Sequence, residues 1–600
     1  MDASEPQHLA MLYRTGNLSS GAWMNNKDRW TSFATIVACL IFTSCSSTAQ
    51  AANPPNVSGT KLRFEISFPE QLSAKPLDGH VMLGLSKNDK EQPRMQLKEE
   101  EAESQQFFAI DVDGLAPGKP AIIDSNSLGF PVRSLADLPA GDYYVQAILN
   151  IYETFHRADG HVVKLPPDMG EGQQWNKKPG NLYSKPQKLH IDSNAGVIRI
   201  LLTEKIPPIE PPKDTKYIKH VRIQSKLLSE FWGRPTYIGA HVLLPADFDE
   251  HPHAHYPVVI YHDHFSPDFR FFSEQPPKPD LKGRELESAK AKYQMYLDWT
   301  SGRLPRMIVV DPIHPNPYYD DSYAVNSANV GPYGDAIMKE LLPVIEKQFR
   351  AIGQPWARVL MGGSTGGWET LADQVFYPDD FNGAWCFCPD PIDFHAYQSV
   401  NIYEDKNAFW VEGNWSRIPR AEMRDTKGNV LATMEPTVRR EEVMGTHGRS
   451  TEQFGIWQAV FSPVGPDGYP KPIWDPATGV IDKEVANYWR DHYDLSHIMQ
   501  RDWATLGPKL AGKLHFAVGD MDTWYLNNAV HLFDDFVSSA RNPYKVPDFD
   551  YGPRKPHCYT GDANVSVFEA VGTIFQRVLP KMRDHIKATA PKDADMSWEY

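Results

Sequence analysis

A serine framed by glycines, Gly362-Gly363-Ser364-Thr365-Gly366, follows the run Arg358-Val359-Leu360-Met361 and precedes a helical stretch from Glu369 to Val375. G-x-S-x-G between a strand and a helix marks a sharp turn that lifts a serine hydroxyl above the sheet as a nucleophile. The glycines are required sterically, because side chains at the flanking positions would clash where the chain reverses. The helix N-terminus behind the serine favours negative charge developing there. The chemistry is attack on an acyl carbonyl, and it needs two more groups: a base for the hydroxyl proton and an acid to orient that base.

Both lie downstream. The buried-strand pattern Leu514 to Gly519 ends in Asp520-Met521-Asp522-Thr523. Asp522 is the preferred acid, since two further residues let the chain turn over the sheet edge, and Asp520 is the alternative. The plainer role for either is to cap a helix from Trp524 onward. His557 stands at the tip of the loop Gly552 to Pro556, 35 residues beyond Asp522, where the loop can fold back over Ser364. The oxyanion would be held by the backbone N–H of Thr365 and by one from the loop Tyr261-His262-Asp263-His264-Phe265, with Asp263 and His264 as candidates. His251, His253 and His255 alternate in a proline-bearing loop and lack an evident fourth metal ligand. No catalytic metal, phosphate loop or dinucleotide fingerprint is indicated, and no cofactor is implied.

These residues need a scaffold, and the pattern after Thr215 supplies one. Tyr237 to Leu244, Pro257 to His262, Met307 to Val310 and Arg358 to Met361 read as strands, the last three apolar enough to be buried on both faces of a parallel sheet. A helix over about Gly334 to Phe349 carries the stripe Ile337, Leu341 and Ile345, and Pro343 should kink it. Alternating elements of this kind predict an α/β fold with helices on both faces. Upstream, Gly59 to Leu202 is all β: Leu62, Phe64, Ile66 and Phe68 alternate with polar residues, and Val81 to Leu85, Tyr143 to Tyr152 and Val197 to Leu202 continue the set. Residues 57–203 are therefore read as an immunoglobulin-like sandwich, 204–214 as a proline-rich linker and 215–590 as the catalytic domain. The loop Glu153 to Ser184 is expected to lean on the neighbouring domain.

Several stretches resemble a known family. They are Gly233-Arg234-Pro235-Thr236-Tyr237, Leu243-Leu244-Pro245, Tyr256-Pro257-Val258-Val259, Glu340-Leu341-Leu342-Pro343-Val344-Ile345-Glu346 and Tyr377-Pro378-Asp379-Asp380-Phe381. From about Phe231 to the C-terminal helix the chain resembles the esterase branch of the α/β-hydrolases, which includes esterase D-like and enterochelin-esterase-like proteins. The resemblance implies an α/β-hydrolase fold and hydrolysis of a carboxylic ester through an acyl-serine, and such esterases often carry the helix with Pro343. There are two departures. Asp263 stands where relatives often have glycine, and residues 397–487 enlarge the stretch before the acid. That insertion, with Trp410, Trp415, Trp457 and Trp474, reads as a cap whose tryptophans either build its own core or meet aromatic or sugar rings. A peptidase or acyltransferase would use the same three residues. A silent homologue binding a glycan or partner would not need them. Cys386 and Cys388 are too close for an easy disulfide, whereas a Cys388–Cys558 bond is compatible with export.

Composition sets the outer limits. The 600 residues carry 61 basic and 76 acidic side chains, a net charge of −15, which excludes a whole-chain nucleic-acid or anionic-membrane binder. Hydrophobics at 41% fill a sizeable core, and five cysteines are too few for a disulfide scaffold. Residues 1–51 read as an N-terminal extension and signal peptide: Lys27 and Arg29, the apolar run Thr31 to Phe42, then Ala49-Gln50-Ala51, with Met24 as the expected start. Cys45, in Phe42-Thr43-Ser44-Cys45, offers a lipid anchor as the alternative. No later segment is apolar enough to span a membrane. The expected protein is exported, periplasmic or extracellular, and acts on a small-molecule or glycan-linked ester.

Overall fold

Near-continuous apolar runs cannot face water on either side, and they form the centre of an eight-stranded sheet. The computed structural model describes residues 62–263, 269–543, 547–564 and 570–600. The expected signal peptide and Cys45 lie outside them, as does His264. The sheet consists of β1 (Ile218–Ser225), β2 (Thr236–Leu243), β3 (Val258–His262), β4 (Ile308–Ile313), β5 (Arg358–Gly363), β6 (Ala384–Phe387), β7 (Leu514–Gly519) and β8 (Asp548–Gly552). Their spatial order is β1-β2-β4-β3-β5-β6-β7-β8. β2 runs antiparallel to β1 and β4, and every pairing from β4 to β8 is parallel. Val259, Val309, Val359 and Leu360 are fully buried, as strands covered on both faces require. This is the α/β-hydrolase sheet.

The helix expected over 334–349 contains a defect, and its form is specific. Tyr333–Ala336 is α-helical, Ile337–Leu341 is a π-turn, and Leu342–Gln348 resumes α-helix with Pro343 in its first turn. Proline has no N–H to donate and its ring crowds the preceding turn, so the backbone widens there.

Upstream, Arg63–Ser67 pairs with Val197–Leu201 and Ala121–Ile123 in a three-stranded sheet. A larger sheet is built on Leu77–Ser86, Gln106–Leu115 and Gly141–His156. Phe64, Ile66 and Ile200 from the first share one core with Val81, Leu83, Val145 and Ala147 from the second. The other face of the larger sheet is also covered. Met82, Phe107, Ile148 and Trp175 pack against Val443 and Met444 of the helix Met434–Met444. His80 joins the same contact, with Nε2 2.9 Å from the Val443 carbonyl and Nδ1 2.7 Å from Asp111. The loop after Gly141–His156 reaches across as well: Arg157 donates to the Gly468 carbonyl and Gln173 to that of Asn316. Residues 58–600 cluster as one unit.

Within 397–487, Trp457 and Trp474 are buried against Tyr397 and Phe454, so they form local core. Trp415, at a hairpin tip, is 98% exposed. Among the described residues no helix is long and apolar enough to cross a membrane.

Candidate active site

The turn after β5 is built by close approach. Ser364 has φ +58° and ψ −122°, a region that side chains other than glycine rarely occupy. A Cβ on Gly362 would lie 2.3 Å from the Gly366 carbonyl oxygen, and one on Gly366 would lie 2.1 Å from that of His262. The two glycines of the motif are thus required by space. The helix Thr365–Phe376 starts directly behind Ser364, and the Thr365 N–H is among its orphan first-turn donors.

The structure brings Ser364, His557 and Asp522 together. Ser364 Oγ lies 2.9 Å from His557 Nε2, and His557 Nδ1 lies 2.8 Å from Asp522 Oδ2. Asp522 is fully buried. Its other oxygen accepts the Trp524 and Leu526 N–H groups at 3.0 and 3.3 Å, so the same carboxylate holds the turn and meets the histidine. Asp520 does not take that place; its backbone pairs with Gly552 at the sheet edge. Burial opposes a charged His557, but Cys558 and the hydrogen-bonded Asp522 carboxylate outweigh it and raise the imidazole well above the ordinary histidine value. The Trp524 ring stands edge-on to His557 at 4.8 Å.

Asp263 is engaged elsewhere. Its carboxylate is paired with Arg270, and its backbone N–H faces the buried Asp311 carboxylate. His251 stacks on Tyr600 and His255 pairs with Asp595, so the alternating histidines serve separate contacts. Cys386, Cys388 and Cys558 are free thiols, and the Cys388–Cys558 bond is not formed.

Sequence reasoning missed two buried networks. Asp390 accepts from Tyr323 Oη at 2.6 Å, Thr365 Oγ1 at 3.1 Å and Gln453 Nε2 at 3.0 Å, and its N–H donates to the Ser364 carbonyl. It buttresses the serine turn from behind. The second lies under the helix Thr365–Phe376. His262 Nε2 is 3.0 Å from Asp373, its Nδ1 is 3.4 Å from Glu369, and His314 Nε2 is 3.9 Å from Glu369. Burial, with Asp321 and Asp373 nearby, raises Glu369 well above the carboxylate range. Burial, with His262 beside it, lowers His314 to about 3. A signal existed: Glu369 and Asp373 are acids four apart on an otherwise uncharged helix.

Among solved structures, a ferulic acid esterase is similar at 16% identity and a TM-score of 0.34, covering 62% of this chain and 99% of its own. An S-formylglutathione hydrolase from Agrobacterium tumefaciens matches at 11% identity and 0.32, covering 62% and 97%. FphF, a fluorophosphonate-binding serine hydrolase of Staphylococcus aureus, matches at 13% and 0.31, covering 62% and 98%. No curated protein sequence matches the chain. Residues 235–435, which hold the serine turn, match the model of the family described as "Putative esterase", and on that match the chain is a carboxylic ester hydrolase built on the α/β-hydrolase sheet.

Proposed function

We propose that the protein is an exported serine hydrolase that cleaves a carboxylic ester through an acyl-serine intermediate. The observation that carries this reading is the unbroken run Asp522–His557–Ser364, with contacts of 2.8 and 2.9 Å, ending on a strained serine in front of a helix N-terminus. Ser364 Oγ attacks the ester carbonyl as His557 Nε2 takes its proton. His557 then gives that proton to the leaving alcohol, and the cycle repeats with water to release the acid. Asp522 keeps His557 in the tautomer with Nδ1–H and stabilises its charged form. In this reading the Thr365 N–H holds the oxyanion, and a second donor comes from the loop after β3, with Asp263 and His264 as the candidates.

In this reading residues 1–51 carry the export signal, and the protein works in the periplasm or outside the cell, with a lipid anchor at Cys45 as the alternative. The domains are an immunoglobulin-like sandwich at 57–203, a linker at 204–214 and a catalytic domain at 215–590. In this reading the sandwich helps shape the cleft: Glu99, from its loop, lies near Trp524, whose ring meets His557. The substrate is a small-molecule or glycan-linked ester.

The test is labelling of the purified protein with a fluorophosphonate probe beside Ser364→Ala, followed by turnover of short-chain nitrophenyl esters and the matching anilides. Labelling and ester turnover that vanish in the variant are expected. Well-folded protein that neither labels nor turns over would overturn the reading, and faster anilide cleavage would make it a peptidase.

A further inference from the structure

The base of the site stands among sulfur atoms that the ester mechanism does not use. Cys388 follows the C-terminal end of β6, and its N–H is bound to the Ala517 carbonyl at 2.7 Å. Cys558 directly follows His557. The two come from segments 170 residues apart, yet Cys388 Sγ, Cys558 Sγ and an imidazole nitrogen of His557 all lie within 4.8 Å of one another. Both cysteines sit at positive φ, +37° and +64°, where few residues other than glycine are found. Both thiols are free; Cys388 is buried and Cys558 partly open.

We propose that Cys388, Cys558 and His557 form a site for a soft divalent d10 ion, zinc or cadmium, whose binding switches hydrolysis off. Bonds of about 2.3 Å to sulfur and about 2.0 Å to nitrogen in a tetrahedron place the donor atoms roughly 3.5–3.8 Å apart. The observed donor atoms, all within 4.8 Å of one another, exceed that spacing by no more than roughly 1 Å. Two sulfurs and an imidazole select zinc-like ions over calcium or magnesium, which take oxygen. The Cys558–His557 pair holds one proton beyond the metal-bound state, as thiol plus imidazole or as thiolate plus imidazolium, and Cys388 holds another; M²⁺ displaces both to solvent as it forms two metal–thiolate bonds and one metal–nitrogen bond. Whichever ring nitrogen turns to the ion must leave its present partner. Nδ1 would leave Asp522, and Nε2 would leave Ser364. Either loss removes the base.

The other clusters are poorer ligand sets. His314 Nδ1 already accepts the Ser322 N–H, so neutral His314 carries its proton on the Nε2 that would have to face an ion near Glu369. Asp393 and His395 are paired with each other at 2.7 Å.

The inhibitory half of the proposal rests on the esterase reading, and the binding half does not. The test titrates reduced, metal-free, full-length protein with cadmium chloride. It records the ultraviolet thiolate-to-cadmium charge-transfer band, proton release and nitrophenyl ester turnover together. One ion per chain, two protons released and a loss of turnover of at least tenfold, reversed by EDTA, are expected. Ser364→Ala should keep the band, because it supplies no ligand. Cys558→Ser should lose it, and Cys388→Ser should lose it if that buried position tolerates serine. No band in the native chain, or an undiminished band in Cys558→Ser, overturns the site. A band with turnover unaffected overturns the inhibition. A band in protein inactive toward every ester leaves the metal site standing and removes the hydrolase mechanism instead.

Discussion

At the scale of single residues, the proposed mechanism makes the protonation of His557 decide when the site works. The base must be neutral to accept the Ser364 proton, and Asp522 and Cys558 raise its pKa well above the ordinary ~6.5. The acid limb of kcat/KM should therefore inflect on the alkaline side of that value, and Cys558→Ser should move it down. An inflection at or below ~6.5 in the native enzyme would contradict this assignment of charge. Asp522→Asn leaves the shape but removes the carboxylate that fixes the tautomer, and kcat should fall roughly 10³–10⁴-fold. Gly366→Ala places a methyl 2.1 Å from the His262 carbonyl oxygen. The expected loss is about 3 kcal/mol in denaturant titration, together with loss of turnover. Ser364 was legible because its turn chemistry is local. The choice between Asp522 and Asp520 was harder, since both follow the same strand within three residues. What separates them is a tight turn, Asp522 N–H to the Gly519 carbonyl, that carries the second acid behind the histidine.

At the scale of elements, the nucleophile helix carries an unusual load. Glu369 is 1% exposed, and neither of its carboxylate oxygens has a hydrogen-bond partner among the described residues. Its folded-state pKa is raised, so the folded chain keeps a proton that the unfolded chain sheds above about 4.5. Stability from this group is therefore complete below that pH and declines as pH rises through it. Glu369→Gln keeps the shape and has no proton to lose. Its melting temperature should gain on the native protein steadily from about pH 5 to pH 9, with the curves meeting at the acid end. Parallel curves would show that Glu369 is ionised in the folded state. The helix itself was readable as the stretch Glu369 to Val375 behind the glycine turn. The partners of its two acids were not, because His262 and His314 lie far away in sequence and only the strand order β4-β3-β5 brings them near. Pro343 was readable as a defect, but local sequence does not distinguish a kink from the π-turn that absorbs it.

At the scale of the whole molecule, the N-terminal sheets and the insertion share a core. Trp175 is 4% exposed within it. Trp175→Ala should cost about 3–5 kcal/mol. The expected result is a single melting transition, shifted down, in which tryptophan fluorescence and ester turnover are lost together. Two separated transitions would mean that the β-rich part unfolds independently. The sequence shows two bodies and a proline spacer more clearly than it shows this contact. Yet Val81-Met82-Leu83-Gly84-Leu85 is apolar throughout instead of alternating, the mark of a strand covered on both faces. What covers the second face, Val443 and Met444, lies some 360 residues on. The insertion is also tied at its inner end. Gln453 donates to Asp390, the residue whose N–H holds the Ser364 carbonyl. Lifting the insertion away would break that tie beside the nucleophile and dismantle the turn it was meant to expose. The enzyme should therefore show no interfacial activation. Its rate on a soluble ester should follow simple saturation, with no lag and no jump when the substrate begins to form micelles.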